Sequence, residues 1–165
     1  MSRPTPIPEV HVNVAESAVL LGRGVMSAVG LGSCVALILY DAATQVGAMA
    51  HIVLPHEALS REPGGPAKYS SSAARHLLEK MREVAPIESP VARLVGGASM
   101  FAALLKGGGI NMGERNTVAT RRALAELGIP ISAEETGGEH GRSVYFDVGS
   151  GQVRVTSMNH GERFL

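Results

Sequence analysis

The stretch Val29-Gly30-Leu31-Gly32-Ser33-Cys34-Val35-Ala36-Leu37-Ile38-Leu39-Tyr40 runs into Asp41-Ala42-Ala43-Thr44 and then Gln45-Val46-Gly47-Ala48-Met49-Ala50-His51-Ile52-Val53-Leu54. It reads as a glycine-rich turn, an apolar strand, a tight reversal and a second apolar strand. Two short aliphatic runs on either side of a polar turn predict an antiparallel hairpin. The chain's only cysteine stands at the entry to the first strand, and a histidine lies near the exit of the second. With the reversal centred on Ala42 and Ala43, Cys34 falls opposite His51. Directly opposed residues have Cβ atoms about 4.5–5.5 Å apart, close enough for a thiol–imidazole contact. Such a pair is the minimal unit of thiol nucleophilic catalysis. A loop of three or five residues is equally compatible with the composition, and a slip of one residue sends a side chain to the other face. The plain alternative is that Cys34 is a small buried hydrophobe leading a core strand.

Working outward, the chain has 165 residues, enough for one domain that buries roughly 70% of its unfolded surface. A lone cysteine forms no internal disulfide, which fits a reducing compartment. Fifteen basic residues balance fifteen acidic ones, so no field draws the protein to nucleic acid or to an anionic membrane. The three Phe and three Tyr are scattered and there is no Trp, which leaves little for base stacking. Residues 1–8 are proline-rich, lack the apolar core of a signal peptide, and are expected to form a flexible tail before a domain over 9–165. No apolar run approaches the 18 or so residues that span a bilayer. The expectation is a cytoplasmic protein that is not inserted in a membrane.

The remaining pattern alternates strands with two helices. Residues 9–15 alternate valines with polar residues, 22–24 turn, and 25–29 form a short strand leading into the turn at 30–34. Pro55 ends the hairpin and 56–66 is a polar loop. Residues 67–84 turn helical, with Tyr69, Ala73, Leu77, Met81 and Val84 on one face and Arg75, Glu79 and Arg82 toward solvent. Residues 91–95 form a strand that runs into Gly96-Gly97-Ala98-Ser99-Met100-Phe101 and a short apolar helix, broken by the glycines at 107–109. Residues 116–127 form the second helix, with Val118, Leu124 and Leu127 inward, Gly128 as C-terminal cap and Pro130 as stop. Strands follow at 129–135, 143–148 and 153–158, the last two as a hairpin. The reading is a single-domain layered α/β sandwich with a mixed, mostly antiparallel sheet.

These residues carry a family resemblance. Gly30-Leu31-Gly32-Ser33-Cys34-Val35, Gly47-Ala48-Met49-Ala50-His51 with Leu54-Pro55, and Lys68-Tyr69 come in the order and spacing of the CheD family. So do Gly96-Gly97-Ala98-Ser99-Met100-Phe101, Asn111-Met112-Gly113-Glu114-Arg115-Asn116, and Glu135-Thr136-Gly137-Gly138 before Arg142-Ser143-Val144. The chain resembles CheD, the chemoreceptor glutamine deamidase, over almost its full length. The resemblance implies a layered sandwich related to the catalytic domain of cytotoxic necrotizing factor toxins. It also implies hydrolysis of particular receptor glutamine carboxamides to glutamate, with Cys34 as nucleophile and His51 as base. The family's centre usually includes a threonine six positions before the cysteine, in a Thr-Leu-Gly-Leu-Gly-Ser-Cys string; here that position is Ala28. Ser27 is adjacent, but neighbours on a strand face opposite sides, so it substitutes only if the backbone bulges.

The chemistry expected of the pair is thioester formation with release of ammonia, then hydrolysis. A thiol beside an imidazolium has a lowered pKa. Gly32 and Ser33 are expected to support the turn and aim backbone N–H groups at the oxyanion; an ordinary tight turn is the alternative. No metal or cofactor is expected, since His51 and His56 flank Pro55 at a spacing that suits no standard ligand pair. His11, His76, His140 and His160 read as surface or loop residues, and the segments 111–116 and 136–138 as structural turns or docking edges. Expected partners are chemoreceptor cytoplasmic domains and, by the resemblance, a CheC-type phosphatase. The alternative function is a catalytically weak binding module for the receptors or that phosphatase, which Ala28 would suit.

Overall fold

The central hairpin is buried on both faces, which is why it reads as nearly unbroken apolar sequence. In the computed structural model, which describes residues 2–100 and 111–165, the hairpin is part of a fold of ten strands and two α-helices. In chain order the strands are β1 (Glu9–His11), β2 (Ser17–Leu21), β3 (Val25–Leu31), β4 (Val35–Asp41), β5 (Val46–Ile52), β6 (Val91–Gly96), β7 (Ile131–Thr136), β8 (Arg142–Asp147), β9 (Gln152–Ser157) and β10 (Gly161–Phe164). The helices are α1 (Ser70–Val84) and α2 (Met112–Glu126). Every residue of β4 and β5 is buried.

Two five-stranded sheets stack, in the orders β2-β5-β4-β6-β7 and β1-β3-β8-β9-β10. All strand pairs are antiparallel except β1 with β3 and β6 with β7, which are parallel. Val35, Leu37 and Leu39 of β4 and Val46, Ala48, Ala50 and Ile52 of β5 face the helices, packing on Ala73, Leu77 and Met81 of α1 and Leu124 of α2. The intervening Ala36, Ile38, Tyr40 and Met49 face the second sheet and meet Met26, Ala28, Val144, Phe146 and Val155. The result is three layers, helices on sheet on sheet. The α/β sandwich expectation holds, with its strands divided between two sheets. Among the described residues no helix is long and apolar enough to cross a membrane.

The hairpin register differs from the sequence reading. Asp41 faces Val46 across a four-residue loop, and His51 faces Ala36 rather than Cys34. Asp41 accounts for the larger loop: its Oδ2 accepts from Thr44 N and Oγ1, at 3.3 and 2.6 Å. Gln45, at φ 54°, completes the reversal. The shift is by two, so every side chain keeps its face.

Other boundaries moved for tertiary reasons. A 3₁₀ turn covers Pro66–Lys68, and Tyr69 is extended because it bridges to Leu54, so α1 begins only at Ser70. Helix α2 starts earlier than expected, at Met112, because the Asn111 side chain caps it by accepting from Glu114 N at 3.0 Å. Its inward stripe is Asn116, Thr117, Thr120, Ala123 and Leu124, which leaves Val118 exposed. Val84, at the end of α1, is likewise exposed. Gly128 caps α2 at φ +70° as expected. Strand β1 is shorter than the alternation at 9–15, and β2 and β10 were not anticipated. The short apolar helix and its glycine break expected before residue 111 fall mostly outside the described residues.

Candidate active site

Three chain segments converge at one end of the inter-sheet space: the turn before β4, the end of β5, and the strap after β1. Cys34 is half-buried and packs against the inter-sheet cluster. By strand alternation it shares a face with Ala36, the residue opposite His51. Cys34 and His51 are therefore diagonal neighbours on one face of one sheet. Diagonal positions lie about 7–8 Å apart, with the side chains reaching into the gap. Among the described residues neither Cys34 Sγ nor His51 Nε2 has a hydrogen-bond partner.

His51 is held on three sides. Its N–H donates to Glu16 O at 3.0 Å and its carbonyl accepts from Ala15 N at 2.9 Å. Its ring Nδ1 lies 3.0 Å from the Val12 carbonyl, in a buried contact. A carbonyl only accepts, so Nδ1 carries the proton and Nε2 presents its lone pair. Val12 is in turn fixed on β3, donating its N–H to Ser27 O at 2.7 Å. A main-chain carbonyl thus orients the ring. Ala28 itself is buried among the inter-sheet apolar residues. Ser27 is bonded elsewhere, its Oγ 2.7 Å from His11 Nδ1. The backbone does bulge, but between Ala28 and Leu31, beyond Ser27. A recess of about 330 Å³ opens over Val12, Ser27 and His51.

Burial pushes the Cys34 thiol up. That is opposite to the direction expected beside an imidazolium, because desolvation disfavours the thiolate. Burial therefore favours the thiol form of Cys34 over the thiolate.

The turn that carries Cys34 is anchored through its carbonyls. Gly32 O accepts from Ala98 N at 2.8 Å, and Cys34 O from Gly97 N at 2.8 Å. Ser33 is exposed, yet its carbonyl accepts from Asn116 Nδ2 at 2.9 Å. All peptides here are trans, so each anchored carbonyl turns the N–H of its own peptide the opposite way. Those N–H groups belong to Ser33, Cys34 and Val35, and the first two lie in the turn itself. The Gly96–Ala98 corner that anchors the turn is itself held by Arg142, whose Nη1 donates to Gly96 O at 3.3 Å and whose guanidinium pairs with Glu135.

Of the residues singled out from sequence, Gly32, Ser33 and Cys34 share one turn with His51 diagonal to Cys34, while Ser27 lines the recess beside His51 and Ala28 is buried between the sheets. Val12 and Asn116 were missed. Val12 acts through its main chain, which no side-chain pattern signals. Asn116 did leave a signal: with Thr120 and Leu124 it repeats every four residues on the inward face of a helix, where a polar residue needs a partner.

Comparison with known proteins agrees with the motif reading. The family model described as CheD chemotactic sensory transduction matches residues 53–157. A protein of Pyrococcus abyssi named probable chemoreceptor glutamine deamidase CheD is 39% identical over 93% of this chain and 94% of its own length. The chemoreceptor glutamine deamidase CheD of Thermotoga maritima is 37% identical over 92% of this chain and 94% of its own. A probable deamidase of the same name from Caldanaerobacter subterraneus subsp. tengcongensis is 35% identical over 94% and 97%.

Proposed function

This chain belongs to the CheD family, and we propose on that premise that it hydrolyses glutamine side-chain amides of chemoreceptors to glutamate, through Cys34 and His51. The observation that carries the mechanism is the Val12 carbonyl on His51 Nδ1, which leaves Nε2 as a base on the face that Cys34 shares. When substrate is seated, Nε2 takes the thiol proton and the sulfur adds to the carboxamide carbon. The oxygen becomes an oxyanion facing the Ser33 and Cys34 N–H groups, and each such donor is worth about 3 kcal/mol. The imidazolium gives its proton to the departing nitrogen, the C–N bond breaks, and ammonia leaves a thioester. Water, deprotonated by the same Nε2, cleaves the thioester to glutamate and restores the thiol.

The test is mass spectrometry of receptor cytoplasmic fragments, with ammonia release followed in parallel. Wild-type protein converts glutamine to glutamate, Cys34→Ala does not, and His51→Gln is slower by about 10²–10⁴-fold. No conversion by wild type refutes the proposal. In that case binding to the receptor fragment or to a CheC-type phosphatase would identify a docking module, a reading favoured by the desolvated thiol and the alanine at 28.

A further inference from the structure

Asn116 is buried completely within α2, and its amide makes two bonds that do not serve the helix. Nδ2 donates to Ser33 O and to Val53 O, both at 2.9 Å. The first acceptor immediately precedes Cys34, and the second lies two residues beyond His51. One side chain therefore ties together the ends of the two strands that carry the reacting groups. The Asn116 main chain is pinned as well, its carbonyl accepting from Ser70 Oγ at 3.0 Å and from Thr120 Oγ1 at 2.8 Å. The amide cannot drift without dragging both helices. Its Oδ1, by contrast, is buried without a donor among the described residues. An unpaired buried acceptor is costly, so a residue chosen for stability alone would not carry one.

We propose, on the deamidase reading above, that Asn116 is a positioning residue: by drawing the Ser33 carbonyl toward α2 it sets the Cys34 N–H as an oxyanion donor, while its second bond, to Val53 O, fixes the amide against the segment after β5. The geometry is that of a trans peptide, whose C=O and N–H point in opposite directions. Fixing the carbonyl from inside the protein fixes the N–H toward the substrate side. No other side chain bonds either carbonyl among the described residues.

The role separates two reactions of the same sulfur. Deamidation passes through an oxyanion and needs the donor, whereas alkylation by iodoacetamide is a displacement at saturated carbon and develops none. In Asn116→Ala, kcat for receptor glutamine conversion falls on the order of 10²-fold, as when an oxyanion donor is lost, while KM and the rate of Cys34 alkylation are unchanged. Asn116→Asp keeps the side-chain shape, loses the amide donor and shows the same split, which covers an alanine variant that fails to fold. Loss of alkylation in step with turnover, or turnover that survives both substitutions, overturns the positioning role while leaving the deamidase reading standing. Wild-type protein that alkylates at Cys34 but converts no glutamine overturns both.

Discussion

Gly113→Ala sets a helix preference against a backbone contact, and the structure says which wins. Gly113 lies in the first turn of α2, where alanine is ordinarily favoured over glycine by about 1 kcal/mol. A Cβ at 113 would stand 2.6 Å from Gly97 O and 2.7 Å from Gly97 C, and closer still to Ala98 O. All three are main-chain atoms of the corner that anchors the Cys34 turn, so none can rotate away. Carbon and carbonyl oxygen approach to about 3.3 Å, so α2 must retreat by roughly 1 Å. The two Asn116 bonds, now 2.9 Å, would then stretch well beyond the ~3.2 Å limit of a sound N–H···O bond. Overpacking costs about 1–3 kcal/mol, and each of the two part-buried carbonyls left without its donor costs about 1 kcal/mol, since water reaches it in part. Against the ~1 kcal/mol helix gain, the net is a loss of about 3 kcal/mol. For a chain of this size that lowers the thermal midpoint by about 9 °C, with turnover falling alongside. Thermal unfolding followed by circular dichroism reads the first, and receptor conversion the second. An unchanged or raised midpoint would refute the claim that α2 is docked backbone-to-backbone through Gly113.

Restoring the family threonine is expected to bring no gain. Ala28 is buried in the inter-sheet core and Val12 already holds His51, so Ala28→Thr adds volume and a hydroxyl to a closed apolar layer. It should cost about 1–3 kcal/mol and leave turnover no higher; a faster enzyme in the conversion assay would show that the Val12 carbonyl orients the ring inadequately. The raised Cys34 thiol pKa gives a pH signature. The folded state resists forming the thiolate, so the associated stability is present below the ordinary thiol range and is lost as pH rises through the higher folded value. Iodoacetamide alkylation of the native protein should accordingly inflect at higher pH than alkylation of the same cysteine in denaturant. A native inflection at or below the denatured one would mean that a cation, rather than burial, governs the sulfur.

The sequence by itself determined the hairpin, both helices, and the family to which the ordered motifs point. It also placed Cys34 and His51 on the same face, and that survived a wrong register because the error was two residues and the side-chain period of a strand is two. Local signals suffice for such features: apolar periodicity, the Gly128 cap, and paired strands around a polar turn. Only the tertiary structure decided what those signals do not encode. The loop length at Asp41 depended on a side-chain bond back to Thr44, and the start of α1 on a bridge between Tyr69 and Leu54. The division of the strands into two stacked sheets, and the stationing of β2 and β10 at their margins, came from long-range pairing. At the site, the partner of His51 is a peptide carbonyl, which every residue possesses and no sequence pattern marks. The partner of the Cys34 turn is an asparagine 83 residues beyond the Ser33 carbonyl it bonds. Side-chain chemistry is written in the sequence; which main-chain atom it meets is decided only when the layers pack.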